Sequence, residues 1–140
     1  MTMKQSLLDK LTSRRARIGI VGLGYVGLPL AVEFAETGFD VVGLDVNAGK
    51  VESINRVESY IPDIPIARMK PLVEAGKLRA TTAYADLSSV DALSICVPTP
   101  LRKTKDPDMS YVLDSIAGVA GVAHAGMLIV LESTTYPGTT

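Results

Sequence analysis

Three glycines, Gly22, Gly24 and Gly27, stand in a Gly-x-Gly-x-x-Gly pattern directly after the apolar run Arg17–Val21. An aspartate, Asp45, closes the next apolar run, Asp40–Leu44. This spacing points to a dinucleotide site built on a βαβ unit. Gly22 permits a tight turn, Gly24 lets backbone approach a pyrophosphate, and Gly27 lets the following helix pack closely on the sheet. That helix would aim its N-terminus, with free N–H groups and partial positive charge, at the phosphates. Asp45 would accept hydrogen bonds from an adenosine ribose and repel a 2′-phosphate, which favours NAD over NADP.

Other polar residues fall at the expected ends of strands. Thr99 sits between Pro98 and Pro100, after the apolar run Ala92–Val97. The prolines stiffen that loop, and the Thr99 hydroxyl is placed either to meet the cofactor or to serve as a turn residue. Ser133, Thr134 and Thr135 follow the run Met127–Leu131. They suit hydrogen bonding to the nicotinamide side or to a substrate water, or else helix capping. Lys50 lies one turn into the helix after Asp45, where it reaches the adenosine side or solvent. Asn47 is better placed to cap that helix.

The remaining candidates read as structural. Cys96 lies inside an apolar strand, a poor setting for a reactive thiolate. His124, the only histidine, reads as a surface residue with no acidic partner near in sequence. Arg102, Lys103 and Lys105 form a solvated loop, with attraction of a diphosphate as the other reading. One Cys and one His cannot make a zinc site.

The elements that must position these residues alternate. A leading helix is expected over Gln5–Ser13, with Leu7, Leu8 and Leu11 on one side. A helix over Tyr25–Thr37 would bury Val26, Leu30 and Phe34 and end at Gly38. Val46–Arg56 reads as a helix with Val51 and Ile54 inward, Tyr60–Ile66 as a loop, Ala67–Ala75 as a helix ending at Gly76, and Lys77–Thr81 as a short strand. Asp86–Ser89 starts a helical turn. Pro98–Pro107 is a loop. Ser110 caps a helix reaching His124, with Val112, Ile116 and Val119 inward. The continuous apolar strands fit parallel strands covered on both faces. The fold class is therefore α/β, a Rossmann-type doubly wound parallel sheet of order 3-2-1-4-5 in three αβα layers. Ligands bind outside the carboxyl ends of such strands, at the switch point.

Bulk properties narrow the class. The chain has 140 residues, 47% of them apolar, and a net charge of −1. That suits a single domain with a real core and gives no electrostatic case for nucleic acid or an anionic membrane. A single cysteine excludes an internal disulfide and fits a reducing, cytoplasmic setting. No apolar run approaches the length of a membrane span.

Three longer stretches resemble the N-terminal NAD-binding domain of nucleotide-sugar dehydrogenases, the UDP-glucose/GDP-mannose dehydrogenase family. They are IGIVGLGYVGLPLAVEFAETGFDVVGLDVN at 18–47, ICVPTPLRKTKDPDMSYV at 95–112 and ESTTYPGTT at 132–140. The VPTP loop followed by DPDMSYV looks most like the branch acting on UDP-N-acetylhexosamines, with UDP-N-acetylglucosamine 6-dehydrogenase the expected subtype. The resemblance implies two NAD-dependent oxidations of a sugar C6 alcohol to the carboxylate, through a thiol-bound intermediate. By motif matching, Val26, Asp45, Lys50, Thr99 and Thr134 correspond to positions that contact NAD. Thr134 also matches a threonine that helps position a water and a catalytic group.

The full cofactor set is then Gly22, Gly24, Tyr25, Val26, Gly27, Asp45, Lys50, Pro98, Thr99, Ser133 and Thr134, with Thr134 as the catalytic candidate. The family's cysteine, lysine and asparagine fall in segments past Thr140, and Cys96 does not match that cysteine. The resemblance thus implies an inactive 140-residue domain of a homo-oligomeric parent that binds a UDP-sugar mainly through other domains. A β-hydroxyacid-type dehydrogenase and a non-enzymatic NAD-sensing module are the alternatives.

Overall fold

In the computed structural model, residues 2–58, 64–100, 103–104 and 108–132 are described. The chain opens with helix α1, Met3–Thr12, earlier than the leucine spacing predicts. A capping box sets its start: the Thr2 hydroxyl accepts from the Gln5 N–H at 3.1 Å, and the Gln5 side chain accepts from the Thr2 N–H at 3.0 Å. Leu7 and Leu11 are half-buried, while Leu8 is exposed.

Strand β1 (Arg17–Val21) leads through the glycine turn into helix α2 (Gly27–Thr37), and strand β2 (Asp40–Leu44) follows. Gly38 ends α2 in the left-handed region at φ 115°. The chain continues through α3 (Ala48–Asn55), α4 (Ile66–Glu74), β3 (Leu78–Thr81) and a 3-10 turn over Tyr84–Leu87. Strand β4 (Ala92–Ile95), helix α5 (Ser110–Ala120) and strand β5 (Leu128–Leu131) follow among the described residues.

The five strands are parallel in the order β3-β2-β1-β4-β5. Alternate residues of β1 point to opposite faces. Ile18 and Ile20 pack with Leu28, Val32, Ile54 and Met69 on one face. Val21 packs with Leu44, Leu87, Leu93 and Val119 on the other. Both faces are thus covered, giving the three αβα layers.

Several expectations need correction. The buried stripe of α2 is Leu28, Ala31, Val32 and Ala35, not Val26, Leu30 and Phe34. Val26 is the helix N-cap and 58% exposed, and Leu30 and Phe34 lie at the margin of the core. Phe34 meets Phe39 edge to face at 5.8 Å. On α5 the inward residues are Val112, Ser115 and Val119, while Ile116 is exposed. Ser115 tolerates burial because its hydroxyl donates to the Tyr111 carbonyl at 2.7 Å.

Ser110 begins α5 rather than capping it. The Asp108 carboxylate accepts from the Ser110 N–H at 3.0 Å. That helix ends at Ala120, short of His124. The turn expected at Asp86–Ser89 forms two residues earlier. Strand β5 also departs from the doubly covered reading, since Leu128, Ile129 and Val130 remain 38–44% exposed. Among the described residues its sheet partner is β4.

Candidate functional site

The sheet ladder runs past the strand ends and fixes the turn. Gly22 N–H donates to the Leu44 carbonyl at 2.7 Å, and Cys96 N–H donates to the Val21 carbonyl at 2.7 Å. Gly22 has φ +95°, and a Cβ there would meet the Cys96–Val97 backbone at 2.9 Å. Only glycine combines that conformation with that approach. A Cβ at Gly27 would collide with the Gly22 carbonyl oxygen, so the start of α2 lies against its own turn. Gly24 differs, because a Cβ there would find nothing within 4 Å. That open space is part of the cleft, and it is where a bulky anion can approach the backbone.

Helix α2 supplies the matching polarity. Of its first backbone groups, the Leu28 N–H already donates to the Gly24 carbonyl at 3.1 Å and Pro29 has no N–H, so the Gly27 N–H is the one left at the helix tip among the described residues. Val26 at the N-cap offers no side-chain hydrogen bond, and the first turn carries no acidic residue. The positive helix end is therefore left to a ligand.

Asp45 is buried, 9% exposed. One carboxylate oxygen accepts from the Leu23 N–H at 2.9 Å and the other from the Asn47 N–H at 2.8 Å. The carboxylate thus braces the glycine turn against the end of β2, a role the sequence reading did not include. Each oxygen keeps acceptor capacity for a further donor, and Asp45 lines the cleft. Asn47 caps α3 as expected, its side chain accepting from the Gly49 and Lys50 N–H groups at 2.9 and 3.3 Å.

The cleft has two lobes that share Gly22, Asp45, Lys50, Val97 and Pro98. One, about 330 Å³, is also lined by Gly24, Tyr25, Val26, Cys96, Thr99 and Glu132. The other, about 550 Å³, runs to Val46, Tyr84, Tyr111, Asp114 and Ser115. Eight of the sequence-predicted residues, Gly22, Gly24, Tyr25, Val26, Asp45, Lys50, Pro98 and Thr99, therefore gather around one cleft at one end of the sheet. Gly27 lines neither lobe, its part being to pack against the Gly22 carbonyl. Ser133 and Thr134 lie outside the described residues, as do Arg102 and Lys105.

Glu132, Tyr84, Tyr111 and Asp114 escaped the sequence reading. Glu132 follows β5 directly, and Tyr84 follows β3 by three residues, so the strand-end rule itself could have flagged both. Tyr111 and Asp114 are on a helix and carried no such signal.

Cys96 is buried beside the turn, with its sulfur 3.5 Å from the Ser94 hydroxyl. Burial pushes its thiol up; the Ser94 hydroxyl opposes this and Glu132 adds to it. This is a packed thiol, not an activated nucleophile. Among the described residues no cluster of three or more His, Cys, Asp or Glu could hold a metal. No helix there is long and apolar enough to cross a membrane.

A third cavity, about 310 Å³, lies at the opposite end of the sheet and is lined by Lys10, Asp91 and His124 among others. His124 is exposed but does have an acid near in space, Asp91. Its two ring nitrogens lie 3.0 and 2.8 Å from the Ala125 and Val90 carbonyl oxygens. A neutral ring can donate to only one of them. These carbonyls, Ala125 before Val90, hold the imidazole above its usual value, with Asp91 adding to the effect. Burial alone would raise the Asp91 carboxyl. The Arg17 N–H and then the Lys10 ammonium outweigh it and hold that carboxyl low.

Comparison with known proteins agrees with this geometry. The family model described as UDP-glucose/GDP-mannose dehydrogenase family, NAD binding domain, matches residues 16–140. UDP-N-acetyl-D-mannosamine dehydrogenase of Pyrococcus horikoshii is 44% identical over 126 residues, covering 89% of this chain and 30% of that protein. Its structure superposes with a TM-score of 0.83. NDP-N-acetyl-D-galactosaminuronic acid dehydrogenase of Methanosarcina mazei Go1 is 36% identical with a TM-score of 0.85, covering 100% of this chain and 32% of that one. A ternary complex of GDP-mannose dehydrogenase from Pseudomonas aeruginosa is 32% identical with a TM-score of 0.82, covering 88% and 29%. The chain thus spans about 30% of the length of the relatives it matches. The expected N-acetylglucosamine subtype is corrected by these relatives, several of which are named for the mannosamine epimer.

Proposed function

Because the chain belongs to the UDP-glucose/GDP-mannose dehydrogenase family as its NAD binding domain, we propose that it holds NAD for a parent enzyme that oxidises the C6 alcohol of a UDP-N-acetylhexosamine. UDP-N-acetyl-D-mannosamine is the substrate that the relatives' names favour. The observation that carries the reading is the uncapped N-terminus of α2 facing the open space at Gly24, with Asp45 beside it.

The residues present fit the cofactor. The N–H groups of the turn and of the start of α2 would hold the pyrophosphate. Asp45 would receive the adenosine ribose hydroxyls, with Lys50 at the rim. The base attached to that ribose then enters the larger lobe, and the nicotinamide end runs through the smaller lobe toward Thr99 and Glu132. When bound, NAD supplies a hydride acceptor. The chain's own contribution is to bind, orient and exclude NADP, through the negative charge of Asp45. Ser133 and Thr134 belong to the same proposal at the nicotinamide end, with Thr134 positioning a water.

The parent is read as a homo-oligomer that takes its UDP-sugar mainly outside these 140 residues, in a cytoplasmic, reducing setting consistent with the free thiol of Cys96. The 140-residue domain alone should oxidise no UDP-sugar, since Cys96 is packed under the turn and unsuited to attack an aldehyde. Calorimetric titration with NAD and, separately, NADP tests the reading. Saturable NAD binding with clear rejection of NADP is expected. Equal binding of both would remove Asp45 from its role, and binding of neither would overturn the site.

A further inference from the structure

We infer that Asp114 reads the base of the bound dinucleotide, by accepting a hydrogen bond from the exocyclic amino group of adenine. The inference rests on the NAD reading above and extends it to residues that the glycine motif does not touch.

The geometry leaves the base one place to go. The phosphates are drawn to the N-terminus of α2, and the ribose to Asp45. Asp45 is common to both lobes. A base carried on that ribose, opposite the phosphates, enters the 550 Å³ lobe. Its apolar walls are Val46, Pro98 and the rings of Tyr84 and Tyr111. Val46 is 77% exposed and Tyr111 43%. These are apolar surfaces that a flat heterocycle would cover.

Tyr84 is held as a wall by a glycine on the neighbouring helix. Its ring lies against Gly118 of α5, where a Cβ would strike the ring atoms. The ring and α5 are therefore packed as one unit, and α5 carries Asp114 into the same lobe.

The polar groups of the lobe narrow the choice of base. The Ser115 hydroxyl already donates to the Tyr111 carbonyl. Asp45 is committed to the turn and the ribose. Asn47 caps α3. Asp114 is the remaining carboxylate lining the lobe. Among the described residues it makes neither an ion pair nor a hydrogen bond, unlike Asp45. An ionised carboxylate only accepts. Adenine offers an amino donor at C6, whereas hypoxanthine offers a carbonyl oxygen there, which a carboxylate would repel. Asp114 therefore selects an amino purine, and the lobe is more than a greasy slot.

The test compares NAD with nicotinamide hypoxanthine dinucleotide by calorimetry, using the whole chain. Wild type should prefer NAD by about tenfold, the order expected for one hydrogen bond to a charged acceptor at a partly open site. Asp114→Ala should bind the two equally, through the turn and Asp45. Asp114→Asn should also bind both, because its amide can accept from the amino group or donate to the carbonyl. Both changes are on an exposed helix face, so thermal melts should stay at the wild-type temperature. Wild type that binds both dinucleotides equally would overturn the inference while leaving the NAD site intact. So would a preference that survives in Asp114→Ala. Failure of wild type to bind NAD at all would overturn the underlying site, and this inference with it.

Discussion

Asp45→Ala should damage the fold as well as the cofactor site, and the structure says by how much. The carboxylate is 9% exposed and accepts from two backbone N–H groups, at 2.9 and 2.8 Å. Leu23 is 1% exposed, so water cannot easily replace the lost acceptor at its N–H. Asn47 is exposed, and water can serve its N–H at little cost. Hydrogen bonds to a charged group contribute about 1.5–3 kcal/mol each, and an orphaned buried donor costs about 1–3 kcal/mol. Counting the Leu23 bond in full and the Asn47 bond lightly gives about 2–4 kcal/mol of lost stability. For a domain of this size that lowers Tm by roughly 6–16 °C. Urea unfolding followed by circular dichroism reads the free energy, and calorimetry on the same protein reads NAD affinity, which should fall by about 10- to 100-fold. Asp45→Asn keeps one acceptor but turns an amide N–H toward the other donor, so it should recover little. An Asp45→Ala protein within about 0.5 kcal/mol of wild type, the range of ordinary surface changes, would refute the brace.

Two glycines of the turn should separate folding from binding. Gly27→Ala drives a methyl into the Gly22 carbonyl and should cost about 3 kcal/mol or more, whereas Gly24→Ala meets open space and should melt like wild type yet bind NAD weakly; normal NAD affinity in Gly24→Ala would place the phosphates elsewhere. His124 should make stability pH-dependent. Its folded-state value is raised by the Ala125 and Val90 carbonyls, so its contribution is full below the ordinary value near 6.5 and is lost as pH rises through the higher folded value. Urea midpoints from pH 5.5 to 8.5 should fall in wild type and stay flatter in His124→Ala, and parallel curves would sink the assignment.

The parts of this molecule that were legible in sequence are those where backbone geometry leaves one residue type. The glycine turn, the cap at Asn47 and the left-handed Gly38 are each set by local sterics or hydrogen bonding, and each is found in place. Sheet order was legible because parallel crossovers have one hand and continuous apolar runs need cover on both faces. Helix faces were harder. Val26, Leu30 and Phe34 are spaced like a core stripe, but so are Leu28, Ala31, Val32 and Ala35, and a helix apolar almost all round does not say which stripe turns inward. The stripe that turns inward mixes Leu28 and Val32 with Ala31 and Ala35. Ser115 defeated the apolar rule on α5 because its hydroxyl bonds within its own helix. Strand β5 reads like β2 and β4, yet among the described residues it pairs with β4 and stays partly exposed, and cover by neighbouring elements is not a property of the four residues LIVL.

The site shows the same division, and its contacts give the glycine motif a structural role besides the proposed phosphate cradle. Gly43 looked like one more member of an apolar strand, but a Cβ there would meet the Leu23 side chain at 2.6 Å. Leu23 is the middle of the turn, and its N–H is the one that Asp45 accepts. Gly43 therefore makes room for the Leu23 side chain, and Asp45 holds the Leu23 backbone. Gly22 in turn rests on the backbone of Cys96 and Val97, and Gly27 on the carbonyl of Gly22. Strands β1, β2 and β4 are thus locked together at their carboxyl ends by contacts that leave no space for a methyl. Of the three motif glycines Gly24 alone is left open, at the point where the proposed site brings the ligand closest. The rigid contacts would keep the N–H groups of α2 aimed before the cofactor arrives, so binding would not have to order them. What sequence could not supply was the larger lobe, because Tyr84 lies in the 3-10 turn while Asp114 and Gly118 lie on α5, and they meet only when α5 packs on the sheet.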